Sequence, residues 1–455
     1  MYTFWIGMAG NYTILDGNGQ VDPIKGMLLS KAKVGVASGD TIDDLLTVAL
    51  EDRNTTDTIA SAMSKFDHYF DLARQYAATG LGLSVVLHAE PVAGDVWESQ
   101  ILDGWTEFAS KGTQVEARLA GSMSLTLHIT RQNWWQAPEA QLNTSSPAGN
   151  DYLTGSTMAL QPDISGGGGM HTNAVIIPTY SGGPDLPSPL RFEIKFLTAG
   201  NQMGDLFMSQ NVNSETVGRV YVLDDVTATG GANHNDATAY KGAYKDCSFS
   251  GGNVLTDMLN WALDAGCMAD CKGNWFRFIL RFGAVMNYMD LEMQVQVRLH
   301  GTSAVVGKTD WMLATPGNWL QVFDAMRLPP FDLGTPANAG ALDLVLVAQR
   351  ATVGSYSIGV DYLQMVPLDG WRHYQTLYAL PTNWTLIDNG ARGIVSSLDA
   401  TGHEVVTHIA DGQSFMLAPA VTNGFYFAWM NVAGGAVVTD SIRVKAFVCA
   451  RRRLL

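Results

Sequence analysis

At 455 residues the chain is too long for one compact core and should contain two or three domains. Hydrophobic residues make up 47% of it, which excludes global disorder, whereas charged residues make up only 16%. The formal net charge of −15 disfavours a nucleic-acid partner, because phosphate binding needs clustered Lys and Arg. The one basic run, Arg451–Arg453, is interpreted as a solvated tail.

The cysteine pattern and the first residues bear on the compartment in which the chain is made. Cys247, Cys267, Cys271 and Cys449 are too few for a disulfide scaffold, and the spacing of the middle two fits neither a redox CxxC motif nor a zinc knuckle. Free thiols or one incidental bridge are expected. Residues 1–10 lack a signal-peptide pattern, and no apolar run approaches the ~20 residues of a membrane span. Synthesis in a cytosol and no membrane insertion are therefore predicted.

Residues 1–140 predict a small α+β domain. Asp16–Gly19 indicates a hairpin turn, and Asp57–Thr79 is predicted to be a helix that ends at Gly80. The apolar positions of this helix recur every three or four residues: Ile59, Met63, Phe66, Phe70, Ala73 and Ala77. Strands are predicted over Leu83–His88, Trp97–Leu102, Val115–Leu119 and Leu125–Ile129. One helix on several strands is the expected arrangement.

Residues 141–188 are rich in Pro, Gly, Ser and Asn, and Gly166–Gly169 is an unbroken glycine run. This composition predicts a linker or an extended arm. A phosphate-binding loop is disfavoured, because no Lys-Ser/Thr follows the glycines.

Residues 189–372 predict an antiparallel β-sandwich of the jelly-roll kind. Strict alternation of apolar and polar residues marks Leu190–Thr198 and Leu291–Leu299 as strands with one buried face. Further strands are predicted over Trp275–Phe282, Leu342–Val347 and Tyr356–Val366. Asn253–Ala265 is interpreted as a short helix that begins at an Asn cap and stops at Gly266. The predicted fold class is mainly β, with an α+β N-terminal domain.

Residues 373–455 predict a C-terminal β segment that forms its own small domain or completes the first one. Its predicted strands are Trp384–Ile387, Glu404–Ile409, Phe415–Leu417, Phe425–Met430 and Ile442–Val448.

Motifs for catalysis and metal binding are weak in this sequence. His403 and His408 are five positions apart, so they diverge on a helix and face opposite ways on a strand. Asp224, Asp225 and Asp236 beside His234 suit calcium, but a solvated loop is preferred. No G-x-S-x-G elbow is present. No enzyme, metal site or cofactor is predicted.

Tryptophan supplies the candidate binding residues. The chain has twelve, and an indole ring stacks on a sugar or anchors a protein interface equally well. In the central domain Trp261, Trp311 and Trp319 are the candidates for carbohydrate binding. Asp310 and Asn318 lie beside two of them as hydrogen-bond partners.

Three segments together resemble tail structural proteins of tailed bacteriophages, most nearly the distal tail or baseplate hub type. They are the helix at Asp57–Ala78, the hairpin that ends in Arg131-Gln-Asn-Trp-Trp135, and the end of the sandwich at Gly359–Arg372. The resemblance implies an N-terminal domain that closes into a homo-oligomeric ring, neighbouring tail proteins as partners, and a projecting sandwich similar to carbohydrate-binding modules. It also implies location in the virion tail after synthesis in the host cytoplasm.

The leading hypothesis is therefore a non-enzymatic tail subunit that self-assembles into a ring, without specific nucleic-acid binding. A tail-tube subunit, a lectin-like protein that binds host surface glycans, and a jelly-roll glycoside hydrolase remain as alternatives. Ring formation separates the first hypothesis from the lectin and the hydrolase.

Overall fold

The computed structural model describes residues 3–8, 11–14, 27–28, 40–51, 59–108, 122–146, 149–150, 156–160, 174–180, 184–197, 203–212, 221–224, 228–236, 239, 242–263, 271–317, 319–329, 342–368, 370–375, 381–407, 409–431 and 440–453. The predicted turn at Asp16–Gly19, the strand at Val115–Leu119 and the glycine run at 166–169 lie outside these residues.

The described elements are one long helix and many short strands, and the predicted mainly-β fold class is confirmed. Up to residue 136 they are β1 (Thr3–Met8), β2 (Asn11–Ile14), β3 (Met27–Leu28), β4 (Thr41–Glu51), α1 (Ile59–Thr79), β5 (Val86–Glu90), β6 (Trp97–Phe108), β7 (Ser122–Gln132) and β8 (Trp135–Gln136). Then follow β9 (Ala140–Gln141), β10 (Ser145–Ser146), β11 (Gly149–Asn150), β12 (Ser156–Leu160), β13 (Ala174–Ile177), β14 (Ser188–Phe196) and β15 (Met203–Val212).

The remaining strands run from residue 221 onward. They begin with β16 (Tyr221–Asp224), β17 (Ala228–Thr229), β18 (Ala232–Asn235), β19 (Ala243–Ser250), β20 (Thr256–Ala262), β21 (Trp275–Phe282), β22 (Leu291–Leu299), β23 (Val305–Lys308), β24 (Met312–Leu313), β25 (Leu320–Val322), β26 (Met326–Arg327), β27 (Leu342–Arg350) and β28 (Ser355–Pro367). They end with β29 (Gly370–Gln375), β30 (Thr385–Asn389), β31 (Ile394–Leu398), β32 (Glu404–Thr407), β33 (Ile409–Gly412), β34 (Met416–Leu417), β35 (Asn423–Asn431), β36 (Asp440–Val448) and β37 (Arg451–Arg452).

The first of two compact units comprises residues 1–140, 182–186 and 449–455. Its sheet has the strand order β2-β1-β5-β6-β7-β4-β3. The predicted helix is confirmed as α1, whose buried side packs on β6: Gly104 lies directly beneath the ring of Phe70. The helix ends at Gly80, which has a φ of +67° and donates its N–H to the carbonyl of Tyr76.

The second unit comprises residues 141–181 and 187–448 and contains two antiparallel sandwiches. In the first sandwich, one sheet has the order β11-β10-β13-β35-β15-β29-β33 and the other β12-β36-β14-β30-β31-β32. Its core includes Phe192, Ile194, Phe425 and Val444. Strands from 141–188, predicted to be a linker or arm, and from 373–448 therefore build one sandwich, since β13 pairs β35 and β12 pairs β36.

The second sandwich is inserted between β15 and β29 of the first. One sheet has the order β18-β19-β28-β21-β25, and the other β17-β20-β27-β22-β23. The predicted strands at Trp275–Phe282, Leu291–Leu299, Leu342–Val347 and Tyr356–Val366 are confirmed here. Side chains from both sheets enclose a core that includes Phe278, Val295 and Leu346.

The two sandwiches pack on each other near the point of insertion. Phe207, Trp371 and Tyr426 on the outer face of the β15 sheet meet Ile279 and Val366 on the outer face of the β28 sheet. Arg277 lies over the Trp371 ring, 4.6 Å from its centroid. These apolar side chains face away from the two sandwich cores and form a separate contact between the sandwiches. In the sequence they occupy the positions that alternation assigns to the surface, so periodicity alone does not identify the contact.

The helix predicted at Asn253–Ala265 is wrong, because Thr256–Ala262 is strand β20 and pairs with β27. A register shift between Asp257 and Leu259 breaks the alternation, so adjacent Met258 and Leu259 are both buried. When the sequence of this segment is considered alone, its apolar residues have a helix-like spacing. Tertiary pairing outweighs that local signal.

Candidate interaction surface at the loop end of the second sandwich

We call the turns at 251–255, 284–290 and 351–354 the loop end of the second sandwich. Backbone hydrogen bonds join two of them, because Gly251 donates to Gly354 and Asn253 donates to Arg350, each at 2.8 Å. Strand β28 starts at this end and has 13 residues, so its other end lies ~40 Å away. That other end leads into β29 of the first sandwich. The loop end is therefore the part of the second sandwich most distant from its insertion point along this strand.

Large apolar side chains are exposed at the loop end. Met289 is 80% exposed and Val353 is 83% exposed, and Val254, Leu255 and Val285 are exposed as well. Single exposed apolar residues are common on protein surfaces, but several on adjoining turns mark an interaction surface.

A groove of about 490 Å³ lies beside these turns, lined by Ser248, Ser250, Ser355 and Ser357 together with aromatic residues. Cross-strand pairing of β19 and β28 places Ser248 opposite Ser357 and Ser250 opposite Ser355. The strands alternate, so the four serines share one face, while Phe249 and Tyr356 point to the other. All four serines are exposed, and within the described residues no protein group bonds their hydroxyls.

The aromatic rings on the opposite side of these strands from the serines are held by an arginine. The Arg350 guanidinium carbon lies 4.0 Å from the Tyr356 ring centroid and 4.5 Å from that of Tyr288, and the two rings meet edge to face. The Tyr288 hydroxyl donates to the carbonyl of Ser357, and the Tyr356 hydroxyl donates to the carbonyl of Val353, each at 3.0 Å. Both hydroxyls are used to fix the rings.

Asp290 neutralises this arginine and ties two turns together. Its carboxylate accepts hydrogen bonds from the Arg350 Nε and from the N–H and hydroxyl of Thr352. The bonds from Thr352, followed by Arg350, lower the pKa of Asp290 to about 2. The arginine that holds the rings is therefore paired with a carboxylate that is ionised at neutral pH.

The tryptophans predicted to bind sugar do not come together at this groove. Trp261 is 1% exposed and belongs to the core between the two sheets. Half-buried Trp311 and exposed Asp310 precede β24, whereas Trp319 precedes β25 in the other sheet, with Arg281 6.0 Å from its ring centroid. Asn318 lies outside the described residues. Carbohydrate binding by these five residues stays a prediction.

Sequence reasoning missed the groove residues, although a signal was present. Ser248-Phe249-Ser250 and Ser355-Tyr356-Ser357 are the same polar-aromatic-polar triplet in two strands that pair residue for residue. One triplet is unremarkable in a Ser-rich chain. Only the pairing of two strands more than a hundred positions apart places them side by side.

The acidic and histidine residues singled out for metal binding can be placed in part. His234 stacks on Tyr244 and lies 3.2 Å from Asp246. Asp225 and His408 lie outside the described residues. Over the residues that the structure describes, no group of three or more His, Cys, Asp or Glu side chains converges on one point. Within the same residues, no helix has both the length and the apolar character needed to cross a membrane.

Comparison with known proteins gives weak structural likenesses. No protein-family description and no curated protein match the sequence. The VP2 subviral particle of infectious bursal disease virus is 10% identical, with a TM-score of 0.19 over 70% of this chain and 82% of that one. The Gx strain of that virus gives 10% identity and a TM-score of 0.19 over 69% of this chain and 81% of that one. Likenesses at these TM-scores carry no argument about fold or function.

Proposed function

We propose that the chain is a structural protein of a virus particle that acts by self-assembly rather than by catalysis. In its finer form the proposal is a distal tail or baseplate subunit of a tailed bacteriophage. Such a subunit would form a homo-oligomeric ring in the virion tail, contact neighbouring tail proteins and display the second sandwich.

The nesting of the chain carries this proposal. The second sandwich is inserted in the chain between β15 and β29. These two strands pair with each other, so the inserted domain replaces the loop of a β-hairpin. The chain then passes back to the first unit at 449–455. This arrangement suits a subunit that separates an assembling part from a displayed part.

The first unit offers a surface for assembly. Because Gly104 faces the helix, Trp105 points to the opposite face of the sheet, where it is 52% exposed. Its ring stacks on His128 at 3.6 Å, and His128 Nε2 lies 2.9 Å from a Glu107 carboxylate oxygen. A rigidly held, exposed tryptophan beside polar groups is the residue type that dominates protein interfaces.

Light scattering on the purified chain, with negative-stain imaging, tests the proposal. We expect rings with a mass that is a multiple of 49.1 kDa. Trp105→Ala should weaken ring formation at least tenfold in concentration, because truncating a central interface tryptophan typically costs 2 kcal/mol or more. Trp275→Ala is the matched control, since Trp275 is also 52% exposed but lies in the second sandwich. A monomer at all concentrations would contradict the proposal.

A lectin-like protein that acts alone is the second candidate, and the serine-lined groove favours it. It predicts a monomer that binds glycans, so the same light-scattering measurement separates the two functions.

A further inference from the structure

We infer that the groove formed by Ser248, Ser250, Ser355, Ser357, Tyr288 and Tyr356 is a binding site for a neutral oligosaccharide. The inference rests on the proposed display role and gives the displayed sandwich a ligand of defined chemistry. It assigns binding to residues other than the tryptophans singled out from the sequence.

The hydroxyl floor fits the hydrogen-bonding pattern of a sugar. Each serine hydroxyl can donate and accept hydrogen bonds, as sugar hydroxyls do. The two-by-two array of serines can therefore donate to some sugar hydroxyls and accept from others. Cross-strand partners lie ~5 Å apart and second neighbours along a strand lie ~7 Å apart. Since the four hydroxyls have no bond to another described residue, a ligand displaces only water.

The charge of the groove favours a neutral ligand over an acidic one. Arg350 lies against the aromatic rings and is paired through its Nε with Asp290, whose negative charge offsets that of the arginine toward a sugar carboxylate or sulfate. The serine hydroxyls carry no charge. An acidic glycan therefore gains nothing over its neutral counterpart here.

The aromatic residues that line the groove are fixed in place before a ligand binds. Tyr288 and Tyr356 are held by their hydroxyl hydrogen bonds and by the Arg350 guanidinium, so little conformational entropy remains to be lost on binding. The volume of about 490 Å³ lies in the range of about 300–1,000 Å³ usual for small-molecule sites, and the groove is open to solvent. An open groove accepts a chain of sugars, whereas an apolar ligand needs enclosure.

Saturation-transfer-difference NMR on the full chain tests the inference. The probes are cellobiose, maltose, lactose and N,N′-diacetylchitobiose, with sialyllactose as the acidic comparison. We expect transfer to at least one neutral disaccharide and no stronger transfer to sialyllactose. The double variant Ser248→Ala with Ser357→Ala should reduce the signal at least fivefold, and Tyr288→Ala should do the same.

Ser303→Ala is the matched control, because Ser303 is an exposed serine on a turn of the same sandwich outside the groove. It should leave the signal unchanged. Exposed Ser→Ala changes should not unfold the chain, and circular dichroism of each variant checks this. No transfer to any neutral sugar, transfer that survives the groove variants, or a preference for sialyllactose each overturns the inference. Binding of a protein through Met289 and Val353 in place of any sugar would also overturn it.

Light scattering of the same samples separates this inference from the proposed function. A monomer that binds a neutral sugar through the groove refutes ring assembly and keeps the site. A ring that binds no neutral sugar would support the proposed assembly function and contradict the proposed sugar-binding site.

Discussion

The first sandwich contains a buried ion-pair network around Asp388. Arg372 makes two bonds to Asp388, at 3.1 and 3.0 Å, and the Tyr374 hydroxyl donates to the same carboxylate at 2.7 Å. Burial, and then the Asp388 charge, raise the pKa of Tyr374 well above its usual value. Each member of the network therefore depends on the others to offset its loss of water.

Removing Asp388 should consequently be costly. Its side chain is 2% exposed, and Asp388→Ala leaves the Arg372 charge buried without its partner, so a loss of about 3–5 kcal/mol is expected. Asp257→Ala is the control: Asp257 also holds an arginine, Arg298, through two bonds, but its side chain is 56% exposed, and the expected loss is below ~1 kcal/mol. Urea denaturation compares both variants with the parent chain. Equal losses would contradict the argument.

His88 should make the first unit sensitive to acid. Burial lowers the pKa of His88 to about 4, below the usual value of about 6.5, so the unfolded chain binds the proton first. Stability present above pH 6.5 is therefore lost as the pH falls toward 4, by up to about 3 kcal/mol. Glu98, 3.3 Å from the imidazole, opposes this, because burial raises the pKa of Glu98 and its protonation favours the folded form.

Hydrogen exchange of the β5 peptide between pH 7 and 4.5, corrected for the intrinsic rate, measures this effect. We expect protection to fall with pH in the parent chain and to fall less in His88→Gln, which cannot gain a charge. Glu98→Gln should steepen the fall. An unchanged slope in His88→Gln would rule out His88 as the source.

At the scale of elements, the contact of helix α1 with strand β6 depends on a missing side chain. A Cβ on Gly104 would overlap the Phe70 ring and would also lie 2.8 Å from the backbone oxygen of His128, so Gly104→Ala should cost about 1–3 kcal/mol by overpacking. Phe70→Leu shortens the opposing side chain. In that background the same glycine change should cost about 0.5 to 1 kcal/mol less, because contacting residues are coupled while the contact with the His128 oxygen remains. Thermal unfolding of the four proteins measures the coupling, and strictly additive losses would show that the two residues do not oppose each other.

Helices and strands were predictable from the sequence wherever the spacing of apolar residues matches the pattern of buried side chains. Apolar and polar residues alternate over 190–196 and over Leu291–Leu299, which lie in strands β14 and β22, and the helix pattern at 59–79 is helix α1. The helix prediction for residues 253–265 was wrong because a register shift within strand β20 hides the alternation of apolar and polar residues. The site was missed for another reason, since the pairing of Ser248 with Ser357 is a property of the folded sheet. The tryptophan criterion failed to separate Trp261, which fills the core, from exposed Trp105 and Trp275.

At the scale of the whole molecule, nesting makes the second sandwich removable. Gln210 of β15 pairs with Gly370 of β29, so the two chain positions that flank the insertion are already neighbours in one sheet. Replacing residues 213–369 with Gly-Gly would leave Asn211-Val212-Gly-Gly as a four-residue hairpin loop between them. The loop-closure cost of this turn is lower than that of the insertion it replaces.

The shortened chain should fold cooperatively and, under the proposed function, still form the parent's rings while losing the groove. It loses the contact layer of Phe207, Trp371 and Tyr426 with the second sandwich, so a lower melting temperature is expected. A second version with Phe207→Thr makes that newly exposed face more polar and separates aggregation from failure to fold. Light scattering and thermal unfolding of both versions decide the outcome. Soluble monomers would place the assembly surface in the second sandwich, and an unfolded product in both versions would show that the first sandwich requires the inserted one.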